Sequence, residues 1–342
     1  MNPDQLLPML LQGRTLSDPE AESVFDRLLE GGYDEPQTAA MLALIERRGV
    51  TEDELLGAAR AMRRRVESVP TPNDGVPVID TCGTGGTPKT FNVSTAAALV
   101  AASAAPGRLR VAKHGNRSRT GRGSAEVLQV LGVNIDAPVP VQARCLQESG
   151  VCFCFAIRHH PATRHASGVR RSLPFRTLFN LLGPLTNPAG ATRQVLGIYD
   201  PGRVEMVAKV LQRLGAERAM VFHSEDGLDE LSLSAPTRIW HVEPEGTRAE
   251  RFTPQDAGLE PCRIEELRVE TLEDAAQTIR DILAGVPGPR RRFVVLSAAA
   301  ALKVADIASA WPESVAMAER AIDSGAAAET LETLARISHE PA

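Results

Sequence analysis

Hydrophobic positions follow two different periods along this chain. Before residue 70 they recur at helical spacing, as in Val24, Leu28 and Leu29, which predicts helices only over residues 1–69. Beyond residue 76, short apolar runs alternate with amphipathic or alanine-rich segments. Continuous apolar runs are typical of strands that are covered on both faces. The pattern predicts an α/β fold: a small N-terminal all-helical domain plus a large α/β domain with a central, mostly parallel sheet flanked by helices.

The boundaries of the elements follow from caps and breakers. Asp18 and Asp34 are predicted helix caps, and the Pro- and Gly-rich segment 70–77 marks the start of the α/β domain, 70–342. The block 164–190 interrupts the alternation with a helical, Arg-rich segment. The predicted strands are 76–80, 109–112, 151–155, 194–199, 218–223, 237–242 and 293–296. The predicted later helices lie near 94–105, 124–131, 139–148, 201–214, 272–284, 297–309 and 315–338.

A glycine-rich turn joins the first predicted strand to an alanine-rich helix. Gly83, Gly85 and Gly86 allow a ligand to approach the backbone, and the helix N-terminus offers unpaired N–H groups to an anion. The turn matches neither the P-loop nor the dinucleotide motif, because Pro88 stands where each needs glycine. Alone, it is as consistent with a plain strand-to-helix turn as with a phosphate site.

A second loop of the same chemical type follows the next strand. The segment 113–124 carries Lys113, Arg117, Arg119 and Arg122 interleaved with glycines and hydroxyl residues. A charged loop is usually only a solvated surface. Two such loops, each at the carboxyl end of a predicted strand, instead indicate a shared ligand site, since open α/β sheets bind ligands there.

Two further segments carry candidate chemistry. His160 and Arg170 could be ordinary structural and surface residues, or Arg170 could offer a forked donor pair to a planar carboxylate next to the Gly183-Pro184 turn. Asp229 and Glu230 follow another strand. They could form a plain acidic turn or hold Mg²⁺ together with substrate phosphates, because Mg²⁺ prefers oxygen ligands and keeps several waters.

Composition narrows the class of protein. The 342 residues have a formal net charge of −5 and 4% aromatic residues, which argues against nucleic acid as a partner. Five cysteines without a C-x-x-C pair predict reduced thiols in a cytoplasmic protein. The sequence shows neither a secretory signal pattern nor an apolar run that could span a membrane.

Taken together, the motifs resemble those of the anthranilate phosphoribosyltransferase family, which has the nucleoside phosphorylase-like phosphoribosyltransferase fold. The matching stretches cover nearly the whole chain and occur in the family's order: 82–86, 91–95, 113–117, 123–125, 160–162, 176–188 and 226–230. The resemblance implies transfer of phosphoribose from phosphoribosyl pyrophosphate (PRPP) to the amine of anthranilate, in tryptophan biosynthesis. It also implies a homodimer and a helical domain of residues 1–69 completed by about 164–190.

The resemblance assigns roles by motif. PRPP would be held by Gly83, Gly86, Thr87, Thr90, Asn92, Val93, Ser94, Thr95, Lys113, Arg117, Gly121 and Ser124. Mg²⁺ would be held by Ser94, Asp229 and Glu230. Anthranilate would contact Gly83, Asn116, His160, Arg170, Gly183 and Pro184. The catalytic group would be Arg170, His114 and Asn116. The aromatic amine is already neutral at pH 7, so orientation by Arg170 is expected to matter more than a strong base.

The chain departs from the family pattern in both phosphate loops. Thr87-Pro88 replaces the usual Gly-Asp start, so the first loop lacks an acidic group and is one residue shorter, and the second loop is also one residue short before Gly123. Either the two shortenings compensate each other, which is our hypothesis, or the protein is a paralogue with another acceptor. A pyrimidine nucleoside phosphorylase and a nucleic-acid-binding relative of the same fold are the remaining alternatives.

Overall fold

A computed structural model describes residues 1–85, 90–118 and 121–342 of the chain. Seven strands form one sheet: β1 (Val78–Asp80), β2 (Arg110–Gly115), β3 (Val151–Phe155), β4 (Arg193–Gly197), β5 (Arg218–Ser224), β6 (Thr237–Glu243) and β7 (Gly246–Phe252). Their order in the sheet is β3-β2-β1-β4-β5-β6-β7. The first five strands of that order are parallel, whereas β6 and β7 are antiparallel. The predicted mostly parallel sheet is therefore confirmed.

Fifteen helices surround this sheet within the described ranges. They are α1 (Pro3–Leu11), α2 (Asp18–Leu29), α3 (Glu35–Arg48), α4 (Glu52–Arg63), α5 (Val93–Ala104), α6 (Ser124–Val130), α7 (Val139–Glu148), α8 (Ala156–His159), α9 (Arg164–Ser172), α10 (Phe179–Leu182), α11 (Val204–Arg213), α12 (Leu272–Leu283), α13 (Pro289–Val304), α14 (Trp311–Asp323) and α15 (Ala326–Ser338). None of them is long and apolar enough to cross a bilayer.

The sheet separates two hydrophobic layers. On β4, Val195 packs with the layer that contains α5 and α13, whereas the next residue, Leu196, packs with α11 and the N-terminal helices. This alternation follows from the two-residue period of a strand. Because both faces are covered, the interiors of the central parallel strands are mainly apolar, and most of their polar side chains lie near the strand ends.

The N-terminal helices begin at well-formed caps. Asp34 accepts a hydrogen bond from the backbone of Gln37 and caps α3, as predicted. The cap of α2 is Ser17 rather than Asp18, because the Glu20 carboxylate accepts from both the backbone and the hydroxyl of Ser17. Helices α9 and α10, from the block 164–190, pack against this N-terminal group through Ala166, Val169 and Phe179.

Three sequence predictions were wrong in the C-terminal half. Residues 293–296 are not a strand but part of α13, because their apolar run is buried on every side of a helix. Strand β7 was missed, since its charged residues lie at an exposed sheet edge. The helix predicted over 315–338 is two helices, α14 and α15, separated at Gly325, whose φ of +82° interrupts the helix.

The crossing of α2 and α4 gives a test of this packing. A Cβ added at Gly57 would lie 2.4 Å from the carbonyl oxygen of Asp18 and 2.6 Å from the backbone nitrogen of Glu22. Backbone atoms cannot move aside, so we expect Gly57→Ala to lower the free energy of unfolding by about 2 kcal/mol despite the better helix propensity of alanine. Denaturant unfolding at constant m-value measures this change.

Gly168→Ala in α9 is the matched control. The Cβ added there meets mainly Oε1 of Glu35, the mobile end of a side chain, so we expect a much smaller effect on the free energy of unfolding. Equal stabilities of Gly57→Ala and the unaltered chain would contradict the close crossing of α2 and α4.

Candidate active site

The glycine-rich turn after β1 packs directly against the end of β4. Gly83 forms an isolated parallel bridge with Gly197, and the backbone N–H of Thr84 donates to the carbonyl oxygen of Gly197 at 2.9 Å. The Thr84 hydroxyl accepts from the backbone N–H of Tyr199 at 2.8 Å. The turn is therefore fixed to the carboxyl edge of the sheet by backbone contacts.

The acidic pair lies on this same turn. The backbone N–H of Gly85, at a φ of +65°, donates to Oδ2 of Asp229 at 2.8 Å. Gly83, Ser94, Gly197, Asp229 and Glu230 line one narrow pocket. Segments that are far apart in sequence therefore meet at the ends of neighbouring strands, as the sequence predicted.

Lys113 is the cation that enters this cluster. Its Nζ donates to the carbonyl oxygen of Thr81 and to Oγ of Ser94, both at 3.1 Å, and only 3% of the residue is exposed. Burial lowers the pKa of Lys113, while the nearby carboxylates of Asp80 and Glu230 act in the opposite direction. A buried ammonium group held beside the helix N-terminus is suited to bind a phosphate oxygen.

The arginines of the second loop do not all share that position. Arg117 is exposed, and its guanidinium lies 5.6 Å from the centre of the Phe155 ring. One guanidinium nitrogen of Arg122 donates to the carbonyl oxygen of Val269. Asn92 caps α5 by position and donates from its side chain to the carbonyl oxygen of Arg122 at 3.3 Å. Of the predicted residues, Gly86, Thr87 and Arg119 lie outside the described residues.

The remaining residues of the predicted donor site differ in exposure. Val93 and Thr95 are buried in the first turn of α5, and Thr90 is buried just before it. Gly121, with a φ of +70°, is exposed, and the Ser124 hydroxyl is directed at the carbonyl oxygen of Asn116 at 3.5 Å. The predicted set thus contains residues that shape the loop as well as residues that face solvent.

Two histidines form a chain of hydrogen bonds beside the Gly183-Pro184 turn. Nδ1 of His114 lies 2.9 Å from the carbonyl oxygen of Gly183, and its Nε2 lies 3.2 Å from Nε2 of His160. A carbonyl only accepts, so His114 carries its proton on Nδ1 and accepts from His160 through Nε2. Nδ1 of His160 is then an unprotonated acceptor, buried and without a partner among the described residues.

The environment keeps both histidines neutral. Burial lowers the pKa of His160 to about 4, with a smaller contribution from His159, and burial also lowers the pKa of His114 well below its ordinary value. The proton positions inferred from the hydrogen bonds agree with this direction, because each ring then needs only one proton. The pair can position an N–H group but does not carry charge at neutral pH.

Arg170 lies on α9, which follows His160 along the chain. Its guanidinium stacks over Phe179 of α10, 4.8 Å from the ring centre, and α10 leads directly into Gly183. The stacking orients a planar, forked donor. Asn116 is exposed, and its side-chain oxygen accepts from the backbone of Arg117 at 2.8 Å. The structure thus brings His114, His160 and the turn at Gly183 together, and it links Arg170 to that turn through Phe179 of α10.

The oxygen ligands that this pocket offers to a metal ion include the Asp229 and Glu230 carboxylates and the Ser94 hydroxyl. No group of three or more His, Cys, Asp or Glu side chains that could hold a metal occurs in residues 1–85, 90–118 and 121–342. Burial and the neighbouring carboxylate of Asp229 raise the pKa of Glu230 to about 8. A divalent cation would relieve this repulsion, and two carboxylates with the Ser94 hydroxyl match the sparse oxygen set that Mg²⁺ shares with phosphates.

Gly197 is a site residue that the sequence analysis missed. A Cβ added there would lie 1.8 Å from the backbone oxygen of Asp229, so the acidic turn requires glycine at this place. A glycine inside an otherwise apolar strand is the signal that could have found it, since it often marks close approach of another backbone.

Comparison with known proteins agrees with this geometry. The glycosyl transferase family, a/b domain, matches residues 75–328, and the helical bundle domain of the same family matches residues 4–66. The chain is 44% identical to the anthranilate phosphoribosyltransferase of Thioalkalivibrio sulfidiphilus and 45% identical to that of Rubrobacter xylanophilus. These alignments cover 98% of both chains in the first case, and 95% of this chain and 94% of the relative in the second.

Solved structures share the fold over the whole chain. The crystal structure of anthranilate phosphoribosyltransferase from Thermus thermophilus superposes with a TM-score of 0.90 at 37% identity, covering 99% of this chain and 100% of that one. The enzyme of Saccharomyces cerevisiae, in complex with PRPP and Mg, superposes with a TM-score of 0.88 at 24% identity, covering 98% and 97%. The chain therefore belongs to the glycosyl transferase family, among the anthranilate phosphoribosyltransferases.

Proposed function

We propose that this protein transfers the phosphoribosyl group of PRPP to the amino nitrogen of anthranilate and releases pyrophosphate. The observation that carries this proposal is the convergence of Lys113, Ser94 and the Asp229-Glu230 pair on the glycine-rich turn, with His114, the hydrogen-bond partner of His160, directly after Lys113 on β2. One side of the site suits a polyphosphate and the other suits a planar acid. The names of the relatives, at 44% and 45% identity over nearly the whole chain, support the same reaction.

On the donor side, the residues act by binding and orientation. Lys113 and the N-terminus of α5 would hold phosphate oxygens as pyrophosphate leaves and its charge increases. We propose Ser94, Asp229 and Glu230 as the residues that hold Mg²⁺, which when bound supplies electrostatic stabilisation of the leaving pyrophosphate. Gly85 and Gly197 keep Asp229 in place through their backbones.

On the acceptor side, Arg170 would bind the anthranilate carboxylate in a bidentate manner, held at the correct angle by its stacking on Phe179. Nδ1 of His160 would accept an N–H of the anthranilate amine, which leaves the nitrogen lone pair directed away from that bond. The amine is neutral at pH 7, so this contact orients the nucleophile rather than activating it. Gly183 and Pro184 would form the wall against which the ring rests.

The domain arrangement is also part of the proposal. We propose that residues 1–69 and about 164–190 form one helical domain, supported by the packing of Ala166 and Val169 on α2 and α3. We propose a homodimer formed through these helical domains, consistent with the exposed side chain of Leu11 at the end of α1. A cytoplasmic location is supported by five free cysteines, four of them buried.

The reaction itself is tested by mixing purified protein with PRPP, Mg²⁺ and anthranilate and following the fluorescence of anthranilate. We expect the fluorescence to decay only when all components are present, because the amine nitrogen becomes substituted. A folded protein that gives no decay over a range of Mg²⁺ concentrations would contradict the proposal. Phosphorolysis of thymidine or a salt-sensitive shift of single-stranded DNA would then identify the alternative function.

The acceptor assignment is tested with Arg170→Ala. Loss of a charged, bidentate pair is expected to raise the KM for anthranilate about 10- to 100-fold, with the KM for PRPP within about twofold of the unaltered enzyme. Arg171→Ala is the matched control, since Arg171 is the next residue of α9 and is exposed. Unchanged anthranilate kinetics in Arg170→Ala would remove this residue from the acceptor site.

The acidic turn is tested with Gly197→Ala. The added methyl group would displace the backbone of Asp229, so we expect a higher Mg²⁺ requirement and a fall in kcat of about tenfold or more. In the control Gly202→Ala the nearest contact is 3.3 Å, to a side-chain oxygen of Asp200, and activity should be kept. The close approach of Gly197 to Asp229 has no functional consequence if both variants show the same Mg²⁺ dependence.

A further inference from the structure

We propose that Asp80 is a positioning residue that holds the donor and acceptor halves of the site in register. Asp80 is the last residue of β1, the strand between β2 and β4 in the sheet. It is completely buried, and none of the roles given above includes it. The inference rests on the proposed function, since it concerns how this chain aligns the two substrates of that reaction.

Each oxygen of the Asp80 carboxylate binds a different part of the site. Oδ1 accepts from the backbone N–H of His114 at 3.1 Å, which fixes the end of β2 where Lys113 and His114 are adjacent. Oδ2 accepts from the side-chain amide of Asn187 at 2.8 Å. Asn187 follows the Gly183-Pro184 turn by three residues, so this bond fixes the segment that leads from the acceptor wall.

Asn187 makes the connection rigid. The same side-chain nitrogen donates to the carbonyl oxygen of Ala112 on β2 at 2.8 Å, and its oxygen accepts from the backbone N–H of Ala189 at 2.9 Å. The amide therefore has both its nitrogen and its oxygen engaged and cannot rotate without losing three bonds. Through it, Asp80 couples β2 to the turn at Gly183.

The negative charge of Asp80 is opposite to that of Lys113, the buried cation on the donor side of the site. Burial raises the pKa of Asp80, but the N–H donors that both of its oxygens receive favour the ionised carboxylate over the acid. Lys113 is the nearby cation that offsets the burial of this carboxylate. Loss of the negative charge would leave the buried ammonium group of Lys113 with less compensation, which disfavours its position beside Ser94.

Burying a carboxylate at this place lowers the free energy of unfolding, whereas an apolar side chain of similar size would not. Its hydrogen bonds reach the backbone of His114 on one side and, on the other, Asn187, which follows the Gly183-Pro184 wall. A role in alignment accounts for both directions, whereas stability alone would be served as well by packed hydrocarbon.

The test is steady-state kinetics of Asp80→Asn with each substrate varied in turn. Asparagine keeps the shape and can still accept from His114, but its amide nitrogen would oppose that of Asn187 and its charge is gone. We expect the KM for PRPP and the KM for anthranilate each to rise about tenfold or more, with a fall in kcat. A folded variant in which either KM stays within about twofold of the unaltered enzyme would overturn the proposal.

Gln194→Met is the matched control from the same buried region. Gln194 donates to the carbonyl oxygen of Pro184 at 2.7 Å and to the weakly accepting sulfur of Cys82 on the donor turn, so its stronger bond supports the acceptor wall. Its loss should raise the KM for anthranilate clearly more than the KM for PRPP. If this variant raised both KM values as much as Asp80→Asn does, the effect would be a general loosening of the buried polar groups, and the proposal would be wrong.

If Asp80→Asn does not fold, Asn187→Ala tests whether Asp80 couples β2 to the acceptor segment. This variant keeps the charge opposite Lys113 and removes the bonds of the Asn187 amide to Asp80, Ala112 and Ala189, so the KM for anthranilate should rise several-fold while that for PRPP does not. An unchanged KM for anthranilate would overturn the coupling. The unaltered enzyme, assayed alongside, separates the two hypotheses: its inactivity would contradict the proposed function, whereas normal turnover with unaffected variants would contradict only the role of Asp80.

Discussion

The site depends on the close stacking of three backbones at the carboxyl edge of the sheet. The turn after β1 bonds to the end of β4, and the turn that carries Asp229 lies so near Gly197 that no side chain fits between them. Such contact lets short segments hold one another without long side chains. It also places the N–H groups, the helix N-terminus of α5 and the acidic pair around one point, which is where a polyphosphate needs them.

Buried charge is the second constraint, and it follows from the first. Because helices cover both faces of the sheet, Lys113 and Asp80 have almost no contact with water and depend on each other and on backbone groups. Burial also disfavours two negative charges at Asp229 and Glu230, and it raises the pKa of Glu230 for that reason. A site of this kind suits a ligand that adds both a cation and phosphate oxygens. The cation would offset the acidic pair, and the phosphate oxygens would offset Lys113.

The sequence predicted what is local in this arrangement. Six of the seven predicted strands, the cap at Asp34 and the alternation of strands and helices depend on neighbours within a few residues, and these predictions were confirmed, with strand ends displaced by up to three residues. Contacts between segments that are far apart in the chain could not be predicted from neighbouring residues. The partners of Asp80 lie 34 and 107 residues away in the chain, and the fit between Gly197 and Asp229 depends on how two turns pack. The apolar run 293–296 was misassigned because a buried helix and a buried strand have the same composition over four residues.

The shortened loops illustrate how one such distant contact could compensate for a local loss. Val269 binds both loops: its backbone N–H donates to the carbonyl oxygen of Thr90 at 3.1 Å, and its carbonyl oxygen accepts from Arg122. Arg290 in turn holds the preceding residue, donating to the carbonyl oxygen of Arg268 at 2.7 Å. Arg122, which the sequence suggested as a phosphate ligand, thus contacts the backbone of Val269. Because both loops bind to Val269, each can be shorter and still lie beside the phosphate site. This supports the hypothesis that the two shortenings compensate each other.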